Sequence, residues 1–504
     1  MKSLVIEDYL WGRKARLSYL MIAATILLFT LLGTKDIWTQ EHRWADIVFG
    51  MFYRHDFLHP YLGETKYYDK PLLSYWLIAC IAQFTGVLTT WTLRLPSALA
   101  GLLAVWSIYR LGCKIRNREL GLLAGWLLLT TFYFVFWARV SSADMLNLAG
   151  SLFAVSWYVD HREQQSFFNY SIFFTILALT SLCKGLGGAI IPLIAVLIDL
   201  IKQNSWKTHL RFSCIASVLP ALIIYLTPFL ASSYWGSESY DQNGLYLVYR
   251  ENILRYFQPF DHQGPIYTYF IYLPIYLLPW AIFFLPALFS LKIRWPVMST
   301  SSRWLTWTLF ILFLFFTFSG SRRSYYILPI VPFAILFIAD WMLADTNQAW
   351  GLTSSAWLIV FSLIFLAITI IIFPAWYYSQ FGLQRFANTL MSEASHIKPW
   401  NEWNVVMLDA ESKLNFYLRL PPNIQNLDIH GKRDSQSIIL LKKSWPILNN
   451  QSVETIFISR KRYAMILRNF FPHYRVITIP SSSLNAIFED GDAPIAFVPV
   501  VARQ

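Results

Sequence analysis

The chain has 504 residues, of which 56% are hydrophobic, 18% aromatic and 14% charged, with a formal net charge of +12. Soluble globular chains carry about 25% charged residues. Apolar runs of the length a helix needs to cross a bilayer recur here through the first three-quarters, so the composition excludes a soluble protein and implies a polytopic membrane one. The 41 Lys and Arg fall in small groups between apolar runs, which excludes a nucleic-acid-binding tract and fits orientation by the positive-inside rule.

Residues 17–34 form the first apolar run, behind Arg13, Lys14 and Arg16. They lack a small-x-small cleavage pattern and are followed by further runs, so they read as an uncleaved first helix. The remaining candidate spans are 92–112, 119–138, 144–160, 168–184, 186–201, 211–233, 267–291, 303–320, 324–344 and 351–376, giving about eleven transmembrane helices. With a cytoplasmic N-terminus, the inside loops hold Lys114, Arg116 and Arg118, then His161 and Arg162, then Lys202, Lys207 and Arg211, then Lys292, Arg294 and Arg303. Only the loop at 345–350 lacks basic residues. The apolar run 71–87 is the test of this arrangement. If it spanned, the later basic loops would face outward. It is short and contains Gln83, so it reads as a helix at the outer interface.

The outer loops are then 35–91, the turn from Arg139 to Asp144, the end of a span at Lys184 and Gly185, the loop 234–266, and the turn "SGSRRSYY" at 319–326. They gather carboxylates (Glu41, Asp46, Asp69, Asp144, Glu251), cations (Arg43, Lys70, Lys184, Arg255, Arg322, Arg323), His262 and many tyrosines. Orientation does not explain ionisable residues in those places, so they are functional candidates. Arg and Lys pair strongly with phosphate oxygens. A carboxylate and a histidine could hold a divalent cation, and another carboxylate could take a proton. The mixture fits group transfer from a lipid phosphate. Plainer readings exist for some members. Arg43 and Lys70 suit lipid head groups, the tyrosines suit an interfacial belt, and Asp144 suits a helix N-terminus. Lys184 lies between two apolar runs with almost no loop, where a charge is costly unless paired.

Beyond residue 376 the chain turns polar and alternates β-like runs ("VVMLDA", "SIILLKK", "ETIFISR", "YRVITIP", "PIAFVPVV") with helix-like pieces such as "SRKRYAMILRNFF", as a small α/β domain would. The tail has no nucleophile elbow, phosphate-cradling glycine loop or metal-ligand cluster. The four cysteines (Cys80, Cys113, Cys183, Cys214) lie in or beside apolar segments, which argues against a disulfide framework or thiolate metal site. The predicted fold is thus an all-α polytopic membrane domain over 1–376, including the outer loops 35–91 and 234–266, with a small outer α/β domain over 377–504.

Seven stretches carry a resemblance: "IWTQEHRWADIVFGM", "YYDKPLLSYWL", "LRLPSALAGL", "ARVSSADMLNL", "TSLCKGLGGAIIPL", "ENILRYFQPFDHQGPIYTY" and "SGSRRSYYILPIVP". Their order and spacing over roughly 15–345 resemble the GT-C membrane glycosyltransferases of the protein O-mannosyltransferase group, most of all the bacterial branch that attaches aminoarabinose to lipid A. The resemblance implies an inner-membrane, multi-pass enzyme with a cytoplasmic N-terminus, and an active site and C-terminal domain in the periplasm. Its donor would be a sugar on undecaprenyl phosphate and its acceptor lipid A or a periplasmic protein. By the same resemblance Arg43, Lys70, Lys184, Arg255, Arg322 and Tyr326 would contact the donor phosphate or lipid. Asp69 and His262 would hold a divalent metal, zinc or magnesium, and Glu41 or Asp144 would serve as the catalytic carboxylate.

One departure stands out. The family has Asp-Glu where this chain has Gln40-Glu41. Either Glu41 serves in place of the aspartate, or an already ionised phosphate acceptor needs no base, or activity has been lost. The competing functions are transfer to Ser or Thr hydroxyls of exported proteins, lipid flipping or transport, and a silent envelope scaffold. Charges collected on one face without paired repeats count against transport.

Overall fold

The apolar runs fold as helices that begin where the sequence offers a cap. Thr89 and Thr92 form a capping box at the start of Thr90–Ile115, Asn117 caps Arg118–Leu129, Ser142 caps Ala143–His161 and Ser166 caps Phe167–Lys184, each meeting amides that the first helical turn leaves unpaired. The computed structural model describes residues 4–67, 70–164, 166–209, 211–235, 248–344, 349–421, 424, 426–430, 434–449, 455–479 and 492–500. They belong to two units, one comprising Met1–Leu32, Asp56–Pro60 and Tyr67–Ile371, the other Gly33–His55, Tyr61–Lys66 and Ile372–Gln504.

In the first unit every run predicted to span has a helix at its core. Among the described residues, six helices are long and apolar enough to cross a membrane, or eight if each of two bent pairs is one span. The runs at 17–34, 144–160 and 186–201 form Leu17–Phe29, Ala143–His161 and Gly187–Lys202. Leu17–Phe29 has 13 residues, about 20 Å, and Ala143–His161 carries Asp144, Asn147 and Asp160 among its apolar residues. Leu73–Thr85 has 13 residues as well, about 20 Å against the roughly 30 Å of a hydrocarbon core.

Small residues set the packing where helices cross closely, as membrane interfaces favour. A Cβ on Gly112 would lie 2.7 Å from the Gly121 Cα, and one on Gly188 2.8 Å from Thr180. The two bent pairs break the same way and repair one another. Arg118–Leu129 meets Phe132–Ala138 at 71°, and Thr268–Tyr276 meets Ala281–Phe289 at 118°. The Phe132 amide donates to the Leu278 carbonyl at 3.0 Å, and Thr130 and Thr131 donate their hydroxyls to the carbonyls of Trp126 and Leu127. Non-helical backbone at membrane depth is tolerated only when satisfied in this manner. Arg139 and Arg94, both buried, donate to the carbonyls of Leu27, Thr30 and Leu32 at the end of the first long helix, so Arg139 is structural.

The second unit contains a hairpin and a five-stranded mixed sheet. The hairpin pairs β1 (Tyr61–Leu62) with β2 (Thr65–Lys66) and turns at Gly63, whose φ of +62° suits glycine. The sheet has β3 (Asn404–Leu408), β4 (Asn426–Leu427), β5 (Thr455–Arg460), β6 (Tyr474–Thr478) and β7 (Pro494–Pro499) in the order β4-β3-β5-β7-β6. β4, β3 and β5 run parallel and β7 and β6 pair antiparallel. Val406, Leu408, Leu441, Phe457, Leu467 and Phe497 fill its core.

Two features differ from the sequence reading. "SIILLKK" is not a strand but part of the helix Asp434–Asn449. Ser437 and Leu441, one helical turn apart, are buried while Ile439 is exposed, a period of four rather than two. Residues 33–55 and 61–66, placed by sequence with the membrane domain, belong to the second unit. The Ile37 amide donates to the Tyr417 hydroxyl at 2.8 Å, and Asp36 accepts from the Leu383 amide at 2.7 Å.

Candidate active site

The site grows from three helix ends in the first unit. Asp144 sits in the first turn of Ala143–His161, where its own amide is capped by the Ser142 hydroxyl at 3.0 Å. Lys184 closes Phe167–Lys184. A carboxylate at an N-terminus and an ammonium at a C-terminus each suit the local helix dipole. Here they meet, with Lys184 Nζ donating to Asp144 Oδ1. The second Asp144 oxygen accepts from the Ser142 hydroxyl at 2.8 Å. Lys184 also lies 4.9 Å from the centre of the Tyr326 ring, so a carboxylate and an aromatic face share its charge. Gly185 makes this turn possible. Its φ is +121° and a Cβ there would stand 2.5 Å from Asn252 Oδ1, the atom that accepts from the Leu186 amide at 2.7 Å.

The third end is the short helical stretch Tyr249–Leu254 continued by Arg255–Phe257. Arg255 donates through one terminal nitrogen to Glu251 at 2.6 Å and through the other to Asp261. Burial alone would lower its pKa, but Tyr326, Asp261 and Glu251 raise it. His262 follows with a φ of +53° and uses both ring nitrogens. Nε2 lies 3.1 Å from Asp261 and Nδ1 lies 3.1 Å from an Arg323 nitrogen. Only the Nε2–H tautomer satisfies both neighbours. Burial, then Arg323, push the His262 pKa below its usual 6.5, against the pull of Asp261, with Arg255 and Lys70 adding to the depression.

The turn at 319–323 is stitched to this loop through the backbone. Gly320 donates to the Tyr256 carbonyl and Arg322 to the His262 carbonyl, both at 2.8 Å. The Arg322 guanidinium donates to the carbonyls of Thr317 at 3.1 Å and Gly264 at 2.6 Å. Arg322, expected at the donor phosphate, thus ties two backbone segments together through Nε and one terminal nitrogen.

Lys70, Lys184, Arg255, Glu251 and Tyr326 line one cavity of about 570 Å³ with Asn147, Asn252, Ser321, Ile190, Phe257, Phe315 and Phe316. That size is within the range of small-ligand sites. Three cations on a wall also lined by isoleucine and phenylalanine suit an anionic head group on an apolar tail.

Glu41 and Arg43 lie on the helix Thr39–Arg54 of the second unit. Glu41, expected as a catalytic carboxylate, is fully buried, and its Oε2 accepts from the Trp38 amide at 2.8 Å, as in a capping box. Asp144, the other expected catalytic carboxylate, accepts from Lys184 on one oxygen and from the Ser142 hydroxyl on the other. Asp69 and residues 236–247 of the predicted loop lie outside the described residues. Around His262 the described residues do not fit a divalent cation. Both ring nitrogens are committed, one to a guanidinium, and the described residues contain no group of three or more His, Cys, Asp or Glu that could hold a metal. Asp261, Asn147 and Ser321 escaped the sequence reading. Asp261 stood beside His262 in "QPFDHQ", and that adjacency was the available signal.

Residues 69–235 match the family of dolichyl-phosphate-mannose-protein mannosyltransferases. The chain is 28% identical, over 88% of its length and 78% of the relative's, to an undecaprenyl phosphate-alpha-4-amino-4-deoxy-L-arabinose arabinosyl transferase of Shewanella sediminis. A protein of the same description from Proteus mirabilis is also 28% identical, over 67% of this chain and 60% of the relative. In structure the chain is similar to ArnT of Cupriavidus metallidurans bound to undecaprenyl phosphate, with a TM-score of 0.66 and 16% identity over 97% of this chain and 99% of that one. The chain has the fold of a GT-C membrane protein. This multi-pass chain carries the cavity on the helices that give it that fold.

Proposed function

We propose that the protein moves a sugar from undecaprenyl phosphate to lipid A or a related envelope acceptor, at the periplasmic face of a bacterial inner membrane. The observation that carries this reading is the single cavity wall bearing Lys70, Lys184 and Arg255 beside apolar side chains. The description of the relatives as undecaprenyl-phosphate-dependent supports the donor. The orientation is supported by charge. Asp144 begins the helix whose other end, Asp160, meets Arg110 and Lys114, and basic residues favour the cytoplasmic side.

In this reading an acceptor oxygen attacks the anomeric carbon opposite the phosphate. A new C–O bond forms as the sugar–phosphate C–O bond breaks, the configuration inverts, and undecaprenyl phosphate leaves with the electron pair. Lys70, Lys184 and Arg255 stabilise the negative charge that grows on the leaving oxygen, as preorganised donors do in an oxyanion hole. Asp144 is a positioning residue that fixes Lys184. An ionised phosphate of the acceptor is nucleophilic without help, whereas a protein hydroxyl benefits from a base. The carboxylates Asp144 and Glu251 are both held in ion pairs, which favours the phosphate acceptor. No step here runs through a metal.

Mass spectrometry of lipid A from cells with and without the gene tests the reading. Loss of one glycosyl or aminoglycosyl increment on deletion is the expected result. An unchanged lipid A spectrum with altered glycosylation of periplasmic proteins would overturn the acceptor and keep the donor chemistry.

A further inference from the structure

Three buried polar atoms around the cavity have no hydrogen-bond partner among the described residues: Arg255 Nε, Ser321 Oγ and Asn147 Oδ1. Leaving a buried donor or acceptor unmet is costly, and native proteins rarely tolerate it without a function. The three are not chemically alike. Arg255 Nε can only donate, Ser321 Oγ can do either, and Asn147 Oδ1 can only accept. A phosphate oxygen satisfies the first two and is repelled by the third. The wall therefore asks for an anion at the cations and a hydrogen-bond donor at Asn147.

Asn147 lies one turn beyond Asp144 on Ala143–His161, is 3% exposed, and lines the cavity together with Lys184. The group that meets it must be joined to the phosphate yet reach past the ion pair. In a sugar phosphate that group is a hydroxyl of the sugar. An ammonium fits less well at this atom, because a buried charge needs a counter-ion and the nearby Asp144 and Glu251 are already paired. We infer that Asn147 accepts a hydrogen bond from a hydroxyl of the transferred sugar, and so distinguishes the loaded lipid carrier from the empty one. This rests on the donor reading above and adds a residue that reads the sugar rather than the phosphate. It gives the enzyme a physical means to release spent carrier. Once the sugar has gone, the buried acceptor is unmet again and the empty carrier is held only by its phosphate and tail.

The test measures the affinity of the purified full chain for undecaprenyl phosphate and for undecaprenyl phosphate bearing 4-amino-4-deoxy-arabinose. The wild type should bind the loaded carrier more tightly. Asn147→Ala should cut that preference about tenfold while leaving the affinity for the empty carrier within about twofold. Asn147→Asp, which keeps the acceptor oxygen but adds a negative charge, should weaken both ligands and retain the preference. Equal loss for both ligands in Asn147→Ala, an unchanged preference, or loss of the preference in Asn147→Asp would each overturn the inference. A wild-type protein that binds neither carrier would overturn the donor reading itself, and the two failures are thereby distinct.

Discussion

The two ends of the helix Ala143–His161 carry ion-paired carboxylates of opposite character. At one end Asp144 is tied to Lys184, and the surrounding cavity wall keeps donors and acceptors that the described protein does not satisfy. At the other end Asp160 takes Arg110 at 2.8 Å and Lys114 at 3.5 Å. Two further carboxylates have similar company. Asp199 accepts from Tyr158, Arg162 and Gln203 at 3.0, 2.9 and 2.6 Å, and Asp340 lies 3.6 Å from Arg116 and 3.5 Å from Arg294. These basic residues are thus clasped by acidic residues at helix ends. At one end charge lines a cavity, and at the other it fastens helix to helix.

The sharpest way to break this contrast is at Lys184. Lys184→Met should lower turnover about 10²–10³-fold, the usual cost of removing one donor to a developing anion. It should also destabilise the fold by about 3–5 kcal/mol, because Asp144 is left buried and unpaired. Adding Asp144→Asn removes that stranded charge, so the double variant should recover most of its thermal stability and none of its turnover. Unfolding in detergent and sugar transfer from undecaprenyl phosphate, measured side by side, separate the two. Turnover that returned together with stability would make this pair another fastener and erase the difference between the ends.

The fastening end gives the complementary experiment. Asp199→Ala strands the Arg162 guanidinium and removes the acceptor of the Tyr158 hydroxyl and the Gln203 amide. The expected loss is about 3 kcal/mol of stability, with turnover per folded molecule within about twofold of the wild type. Thermal unfolding together with activity normalised to the folded fraction checks it. A tenfold fall in normalised turnover would mean that the two ends are coupled.

Much of the fold was legible because membrane and charge impose simple rules. Apolar length marked the helices, basic groups marked one set of ends, and the cost of an unpaired Lys184 between two apolar runs flagged it without any partner in view. What sequence could not supply was the partner. Asp144 and Lys184 are 40 residues apart, and nothing local says that one neutralises the other rather than a substrate. Arg322 looked the same as Arg255 in sequence. The difference lies in their partners: Arg322 donates to the carbonyls of Thr317 and Gly264, whereas Arg255 donates to the carboxylates of Glu251 and Asp261 and lines the cavity. Glu41 stands three residues after Trp38 at the start of the helix Thr39–Arg54. With Trp rather than Ser or Thr at the cap, the sequence holds no clear capping signal for the bond that Glu41 accepts from the Trp38 amide. The assignment of residues 33–55 to the second unit rests on contacts with residues more than 300 positions away, beyond any local pattern.

The smallest effect lies at His262, on the border between the two kinds of charge. Its neutral ring accepts from Arg323 and donates to Asp261, and its pKa is held below 6.5 by burial and by the cations around it. The unfolded chain therefore binds a proton at a higher pH than the folded one. Between the depressed value and 6.5 the unfolded state holds more protons, so stability rises with pH across that window. The contribution is fully present above about 6.5 and is lost as pH falls through the folded value, when Nδ1–H would confront the Arg323 guanidinium. A pH–rate profile should accordingly show a few-fold decline on its acid limb. His262→Gln can accept from Arg323 and donate to Asp261 without titrating, and should flatten that limb while leaving the rate at neutral pH nearly unchanged. Arg323→Met removes a cation from beside the ring and should move the limb to higher pH. An acid limb that stayed in place in both variants would assign it to another group, and His262 would then join the fasteners.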